Sequence, residues 1–188
     1  MVAFATYEDL EKALKVTFPA EDRGQATELL EAASSYLRFV IGQNVYPQDT
    51  VTFTGWPDLS GRVDLPQWPV ASVGAVQQDG VDVEYRFRPG FVLVGDHEPV
   101  DVTFTYGTAE APEELRRVTV VLAAQALQSL ELTGSLTAGG LSSVSIDDFR
   151  AAFAEGGSST GIALPKLQQD ALRRAFGRGD VSIVEAYT

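Results

Sequence analysis

A change of hydrophobic period within residues 99–127 is the sequence feature that most constrains the fold. From Val100 to Tyr106 apolar residues alternate with polar ones, which is typical of a half-buried strand. Pro112 then opens a helix at a position where its missing N–H costs little. Residues 118–127 are apolar on nearly every side, a pattern that indicates burial by several neighbours. The stretch therefore predicts a strand that is followed by a buried helix.

The first third of the chain predicts two helices. Thr6 is expected to cap the first one, which should end near Val16, before Phe18-Pro19. A second helix is expected from about Pro19 to Gly42, because apolar residues recur there at helical spacing. Its apolar face is long enough to require a packing partner.

The middle of the chain, residues 51–106, predicts short antiparallel strands. Apolar and polar residues alternate there, and Asp79-Gly80 lies between two such alternations, which is a strong signal for a hairpin. Pro89-Gly90 predicts a further turn. We expect a small antiparallel meander with one buried face.

The C-terminal part predicts an arm. The segment EGGSSTG, 155–161, is expected to be a hinge, because glycine and serine give flexible linkers. An amphipathic helix follows from Leu164 to Phe176, and Val181 to Tyr187 form a strand-like tail. The predicted fold class is α+β: a bundle of three main helices with a small antiparallel β-sheet and a C-terminal helical arm. The predicted division is a core of helices and antiparallel sheet at 1–154 and a hinged helix and strand-like tail at 155–188.

The charge balance restricts the partners. The 188 residues include 14 lysines and arginines and 26 acidic residues, so the net charge is −12. This argues against a protein that grips a phosphate backbone. Two interpretations of the acidity remain open, namely simple solubility and a surface that lets DNA slide past. The chain shows no secretion signal and no apolar run of the ~20 residues that a membrane span needs, so we expect a soluble intracellular product without a membrane partner.

Residues that could carry catalysis are almost absent. There is no cysteine, and the one histidine, His97, lies in a Gly-Asp-His-Glu turn where a solvated loop residue is the expected role. Asp147-Asp148 lack the surrounding pattern of a calcium loop and predict a solvated acidic turn. The glycines of 155–161 are not followed by the Lys-Ser/Thr of a phosphate-binding loop. We predict no enzyme activity, no catalytic or metal site and no cofactor.

Three basic pairs have two possible roles. They are Arg86 with Arg88, Arg116 with Arg117, and Arg173 with Arg174. The simpler role is a solvated face or a favourable charge at a helix C-terminus. The alternative is contact with an acidic groove of a partner, and it applies best to the last pair.

The order of these segments resembles a known family. The matching segments are TYEDLEKAL at 6–14, ATELLEAASSYLRFVIGQ at 26–43, the Leu-Pro-x-x-Pro-Val motif at 65–70 with the later Asp-Gly turn, PVDVTFTYG followed by APEELRRVTVVLAAQAL, and ALRRAF at 171–176. Together they resemble the head-to-tail adaptor family of tailed bacteriophages, also called head–tail connector or head-completion proteins. The resemblance spans about Thr6 to Phe176, and the order of the motifs is its specific part. Residues 155–161 and those after Gly177 have no counterpart.

The resemblance implies a structural protein of the virion neck, made in the host cytoplasm. Family members form a ring, usually of twelve copies, beneath the portal protein. The ring extends the DNA channel, so double-stranded DNA passes through without sequence-specific contact, and it docks the next neck component, a stopper-like tail-completion protein. Docking on the portal through C-terminal elements would involve Leu164, Leu167, Leu172, Arg173, Arg174 and Phe176, with Val181, Ile183 and Tyr187 of the tail.

Physical arguments leave the arm's partner open. A helix of about twelve residues is marginal alone in water, so it needs a surface to pack on. That surface is either a groove on a partner or the chain's own body. The tail is likewise expected either to add a strand to a neighbour's sheet or to fold back. The competing function is another neck or tail-completion protein, or a small protein-binding module that forms no ring.

Overall fold

The fold combines helices with antiparallel sheets, which confirms the predicted α+β class. The computed structural model describes residues 1–136 and 163–177. These contain four helices: α1 (Tyr7–Leu14), α2 (Arg23–Ile41), α3 (Glu113–Leu136) and α4 (Lys166–Phe176). They also contain seven strands: β1 (Asp49–Gly55), β2 (Arg62–Asp64), β3 (Val70–Gln78), β4 (Val81–Asp82), β5 (Tyr85–Arg88), β6 (Phe91–Val94) and β7 (Val100–Tyr106). In the described part of the chain, no helix combines the length and apolar character needed to cross a membrane.

The chain divides into two compact units. The first comprises residues 1–40 and the described residues of 111–169, and the second comprises 41–110 and the described residues from 170 onward. The predicted boundary at 154/155 lies outside the described residues, as do the hinge segment 155–161 and Asp147-Asp148.

Local signals set the ends of α1. The Thr6 hydroxyl accepts a hydrogen bond from the Asp9 N–H at 3.4 Å, and Asp9 Oδ2 accepts one from the Thr6 N–H at 3.0 Å. This reciprocal pair is a capping box, in agreement with the predicted cap. The helix ends at Leu14, two residues before the predicted end, because Lys15 adopts a left-handed conformation with φ 57°.

The long helix α2 begins later than predicted and ends where predicted. Residues 19–22 form a turn, in which the Asp22 N–H donates to the Pro19 carbonyl at 3.0 Å, so α2 starts at Arg23. Gly42, with φ 82°, follows its last residue. The predicted apolar face is buried and includes Leu29, Leu30, Ala33, Tyr36 and Leu37.

Helix α3 supplies much of the rest of the first unit's core. Leu115, Leu122, Ala123 and Ala126 are buried, and α3 contacts α1. The expectation of burial on nearly every side is too broad, because Val121 remains half exposed. One stripe of α3 is therefore open to solvent within the described structure.

The strands form two antiparallel sheets rather than one meander. The first has the order β1-β7-β3-β4 and the second the order β2-β6-β5. Strand β1 pairs with β7 instead of β2, because seven residues match in register from Asp49–Tyr106 to Gly55–Val100, whereas β2 has only three residues. This register places Val51 opposite Phe104 and buries one apolar face. On the other face, threonine pairs hydrogen-bond across the strands, Thr50 with Thr105 and Thr52 with Thr103.

The two predicted tight turns are confirmed. Strands β3 and β4 form a hairpin through Asp79 and Gly80, whose φ angles of 49° and 77° are both left-handed. Two consecutive residues of this kind give the hairpin turn that matches the twist of antiparallel strands. Gly90, with φ 85°, lies in the turn between β5 and β6. The sheets share a core of Val63, Leu65, Val76, Val92, Val100, Val102, Phe104 and Tyr106.

Candidate docking surface

Helix α4 has one buried side and one exposed side within the described chain. Leu164, which precedes the helix, is 7% exposed, and Leu172 is 3% exposed. Leu167 is 82% exposed, although it belongs to the same predicted apolar face. The sequence pattern therefore identified an amphipathic helix but assigned Leu167 to the same side as the two buried leucines.

A hydrogen-bonded cluster anchors the start of α4 on helix α2. The Tyr36 hydroxyl accepts a hydrogen bond from the Leu164 N–H at 3.3 Å and another from Gln169 Nε2 at 3.3 Å. Gln169 Nε2 also donates to the Leu164 carbonyl at 2.8 Å. Tyr36 is buried, so these bonds are shielded from water. The start of α4 is thus attached to its own chain.

The end of α4 is held by a glutamine just beyond α2. Gln43 Nε2 donates to the Phe176 carbonyl, which is one of the last carbonyls of the helix, and Gln43 Oε1 accepts from the Trp68 N–H at 3.1 Å. The Gly177 N–H donates to the Arg173 carbonyl at 2.8 Å. These contacts satisfy backbone groups that a helix terminus leaves open.

The exposed side of α4 is basic in an acidic protein. Lys166, Arg173 and Arg174 are exposed, and Asp170 is the one carboxylate of the helix. Arg173 forms a partly exposed ion pair with Asp170 at 3.6 Å. Leu167 and Arg174 are seven residues apart and so lie on one helix face, with Ala171 between them. Arg173 is exposed next to Arg174 but lies about 120° round the helix from Leu167. We call Leu167, Ala171 and Arg174, together with this neighbouring Arg173, the α4 face.

The predicted docking residues thus fall into three groups. Leu167, Arg173 and Arg174 are exposed and lie on α4, and Phe176 is half-buried at its end. Leu164 and Leu172 are buried in the chain itself, which removes them from the surface available to a partner. Val181, Ile183 and Tyr187 lie outside the described residues.

The other residues considered for chemistry are at the surface. His97 is exposed in the turn between β6 and β7, as predicted, and its backbone N–H donates to Asp96 Oδ1 at 2.7 Å. This bond is the main reason that the pKa of Asp96 is lowered. Arg86 and Arg88 are exposed on β5, and Arg116 pairs with Glu113 at 3.4 Å. Among the described residues, no group of three histidine or acidic side chains is placed to hold a metal ion.

Sequence reasoning missed two exposed apolar side chains in the β1–β2 connection. Trp56 is 72% exposed and Leu59 is fully exposed. The signal was present in the segment WPDLSG, because its large apolar residues lie in a turn-rich stretch without strand or helix periodicity. Such isolated apolar residues have no partner in a predicted element.

The comparisons with known proteins found likeness among solved structures only. The chain matches no known protein-family model and none of the curated proteins with which it was compared. Among solved structures, it is similar to a chain described as the neck of an empty GTA particle computed with C6 symmetry. That match has 17% sequence identity and a TM-score of 0.42, and it covers 78% of this chain and 87% of the other. At this level the likeness assigns this chain neither a family nor a function.

Proposed function

We propose that this chain is a structural head-to-tail adaptor of a phage-like virion, without enzymatic activity. It assembles in the host cytoplasm into a homo-oligomeric ring of twelve copies beneath the portal protein, becomes part of the virion neck and extends the DNA channel. The observation that carries the proposal is the order of elements, in which α1, α2, the antiparallel strands, α3 and α4 follow the order of the segments that resemble the adaptor family.

In this proposal the α4 face docks on the portal. Leu167 provides an exposed apolar anchor, and Arg173 and Arg174 provide two cations beside it. A partner that fits has an apolar pocket rimmed by carboxylates. Because Leu164 and Leu172 hold α4 on its own chain, the helix is ordered before binding, which reduces the entropy lost on association. The tail residues Val181, Ile183 and Tyr187 remain part of the proposed contact.

The charge of the chain supports a role beside DNA rather than one in binding it. The net charge is −12, and Asp101 is exposed on the same face of the sheet as the paired threonines, where it accepts a hydrogen bond from the Thr54 hydroxyl at 2.5 Å. Carboxylates that line a channel would repel phosphates and keep the duplex mobile. A stopper-like neck protein would bind the opposite face of the ring.

Copy number is the test of this proposal. The purified full chain is mixed with the portal protein of the same particle and studied by native mass spectrometry and negative-stain electron microscopy. Twelvefold rings stacked on the portal are expected. Only monomers or dimers in the presence of the portal would overturn the adaptor proposal. That result would favour the alternative, a small binding module that uses the α4 face without forming a ring.

A further inference from the structure

Strand β5 forms one edge of its sheet in the described structure. The sheet has the order β2-β6-β5, so β5 pairs with β6 on one side and has no described strand on the other. The unpaired N–H and C=O groups of an edge strand can pair with a strand of another chain, unless proline, a bulge or charge prevents it. The four residues of β5 include no proline, and their pairing with β6 has no bulge. Charge is therefore the property that decides what this edge can accept.

The outer face of this edge carries alternating charged residues. Arg86 and Arg88 lie opposite Leu93 and Phe91, and both arginines are exposed. Glu84 is also exposed, between two residues that pack against the core, so it is directed to the same outer side. None of these three charged side chains forms an ion pair with a described residue.

The inner face of the edge is apolar and incompletely covered. Val83 and Tyr85 pack against the core of the two sheets, and Phe87 lies opposite the buried Val92. Phe87 nevertheless remains 37% exposed, because no described strand lies beyond β5. A further strand at this edge would cover this ring and complete the apolar face.

The order of the charges is complementary to its own reverse. At alternate positions the exposed charged residues are Asp82, Glu84, Arg86 and Arg88, two acids followed by two bases. In an antiparallel pair centred on Tyr85, Glu84 lies opposite Arg86 of the other copy, and Asp82 lies opposite Arg88. Opposite charges at directly paired positions stabilise a sheet, and like charges destabilise it.

The charges also select one register. Directly paired residues of antiparallel strands share a face, so the twofold axis has to pass through a residue. Centring the pair on Arg86 places this arginine opposite itself, and centring it on Phe87 places Arg86 opposite Arg88. Centring it on Glu84 or Val83 likewise brings two carboxylates together. Of the positions from 83 to 87, only Tyr85 avoids a like-charged pair.

A cavity beside the edge provides space for an aromatic ring of the second copy. It has a volume of about 580 Å³, and its lining includes Val83, Tyr85 and Val94. In the register centred on Tyr85, Phe87 of one copy lies opposite Val83 of the other, which is a wall of this cavity. Each half-exposed phenylalanine is thus placed beside the cavity of the other copy.

We propose that two copies of this chain pair through their β5 edges, antiparallel and centred on Tyr85, with Glu84 opposite Arg86 and Val83 opposite Phe87. The two three-stranded sheets then form one sheet of six strands. A twofold contact of this kind closes on two copies and does not continue round a ring. The inference therefore goes beyond the proposed function and describes a dimer that the chain forms without the portal.

A charge exchange tests the register. The edge is short and small interfaces give weak complexes, so the purified chain is studied by sedimentation velocity over a concentration series, with the portal absent. A monomer–dimer equilibrium is expected. Arg86→Glu places two carboxylates opposite each other at both symmetric positions, so the dissociation constant of the dimer should rise at least about 10-fold. The double variant Glu84→Arg with Arg86→Glu exchanges the two charges and should restore the dimer.

The control for these variants is Arg117→Glu, which reverses an exposed charge on α3 and should leave the dimer unchanged. A parent chain that stays monomeric at about 1 mM would overturn the inference. So would a double variant that dimerises no better than Arg86→Glu, because the effect would then not depend on the pairing of these two positions.

Engineered disulfides give an independent test, because the chain has no cysteine. In the double variant Val83→Cys with Phe87→Cys, the two thiols of one copy are four strand positions, or about 13 Å, apart. This is too far for a disulfide, so the bond has to form between copies. Mild oxidation should give a covalent dimer on a non-reducing gel, and each single variant should remain monomeric. A ladder of higher oligomers, or a dimer of Phe87→Cys alone, would contradict the twofold register.

These measurements are independent of the proposed function because they are made without the portal. Loss of the dimer would overturn the β5 pairing and leave the adaptor proposal standing. Absence of rings on the portal would overturn the adaptor proposal and leave the β5 pairing standing.

Discussion

The hydroxyl of Tyr36 accepts a hydrogen bond from the backbone N–H of Leu164 at 3.3 Å and so joins two residues that are 128 positions apart. Tyr36 lies on the buried face of α2, and Leu164 immediately precedes the short helix α4. An isolated helix of eleven residues is marginal in water, so its order depends on such contacts. This bond attaches the residue that precedes α4 to the core of the first unit.

Removing this hydroxyl should loosen α4. The variant Tyr36→Phe keeps the ring but leaves the Leu164 N–H without its acceptor, which should lower the free energy of unfolding by about 1–2 kcal/mol. Hydrogen exchange should accelerate at the amides of residues 164–176 in particular. Tyr85→Phe is the control, because its hydroxyl donates to the Val73 carbonyl at 3.2 Å in the second unit. Unchanged exchange in α4 of Tyr36→Phe would contradict this role.

Two glycines with the same backbone angle differ in their surroundings. Gly61 and Gly80 both have φ 77°. A Cβ at Gly61 would overlap the Val94 carbonyl, whereas a Cβ at Gly80 meets nothing within 4 Å. Gly80→Ala should lower the free energy of unfolding by about 1–2 kcal/mol, the cost of a left-handed alanine. Gly61→Ala should lower the free energy of unfolding by about 2 kcal/mol more than Gly80→Ala does, because the backbone at Val94 must move to make room for the Cβ.

Urea denaturation of the two variants at equal protein concentration measures this difference. Equal losses of stability in Gly61→Ala and Gly80→Ala would show that contact with Val94 is relieved without cost. The comparison thus separates backbone strain from steric overlap at Gly61, the last residue of the connection between β1 and β2 (residues 56–61, the tip loop).

Local chemistry explains what could be predicted from the sequence. The Asp79-Gly80 hairpin, the Thr6 cap and the end of α2 at Gly42 each depend on a few neighbouring residues with special backbone preferences. The strands follow from alternation that a single segment displays. These signals need no knowledge of the rest of the chain.

Long-range pairing explains which features of the fold could not be predicted from the sequence. The partnership of β1 with β7 depends on the match between two segments that are about fifty residues apart, and turn signals point to sequential neighbours instead. The burial of Leu164 and Leu172 beside the exposure of Leu167 depends on which surface α4 meets. Apolar periodicity identifies a face but does not identify the surface that covers it. The tip loop was missed because exposure of Trp56 is a tertiary property.

The tip loop should respond to acid. Hydrogen bonds lower the pKa of Asp58 in the folded protein, with the Ser60 hydroxyl as the largest cause. The ordering that these bonds provide is therefore complete above the ordinary pKa of an aspartate and is lost as the pH falls through the lower folded value. Amide chemical shifts of Ser60 and Arg62 in an NMR titration between about pH 5 and pH 2 should report this transition.

Two substitutions separate charge from hydrogen bonding at Asp58. Asp58→Asn keeps an acceptor oxygen and should abolish the acid transition of the Ser60 amide while retaining much of the loop's order. Asp58→Ala removes both the charge and the acceptor oxygen, so it should increase the mobility of the tip loop at neutral pH. An acid transition that persists in Asp58→Asn would mean that another carboxyl controls the loop.

The α4 face should control docking to the portal. Arg173 and Arg174 are exposed cations beside Leu167, so Arg173→Glu with Arg174→Glu places two like charges against the acidic rim that we propose on the portal. Binding measured by surface plasmon resonance should weaken by at least about 10-fold, and the defect should shrink as salt screens the repulsion. Leu167→Ser should weaken binding without this salt dependence, because it removes an apolar contact.

Arg117→Glu is the control, because it reverses the charge of an exposed side chain on α3, and this variant should bind the portal as the parent does. If both α4 variants bind the portal normally and still form rings, the docking surface lies outside this helix.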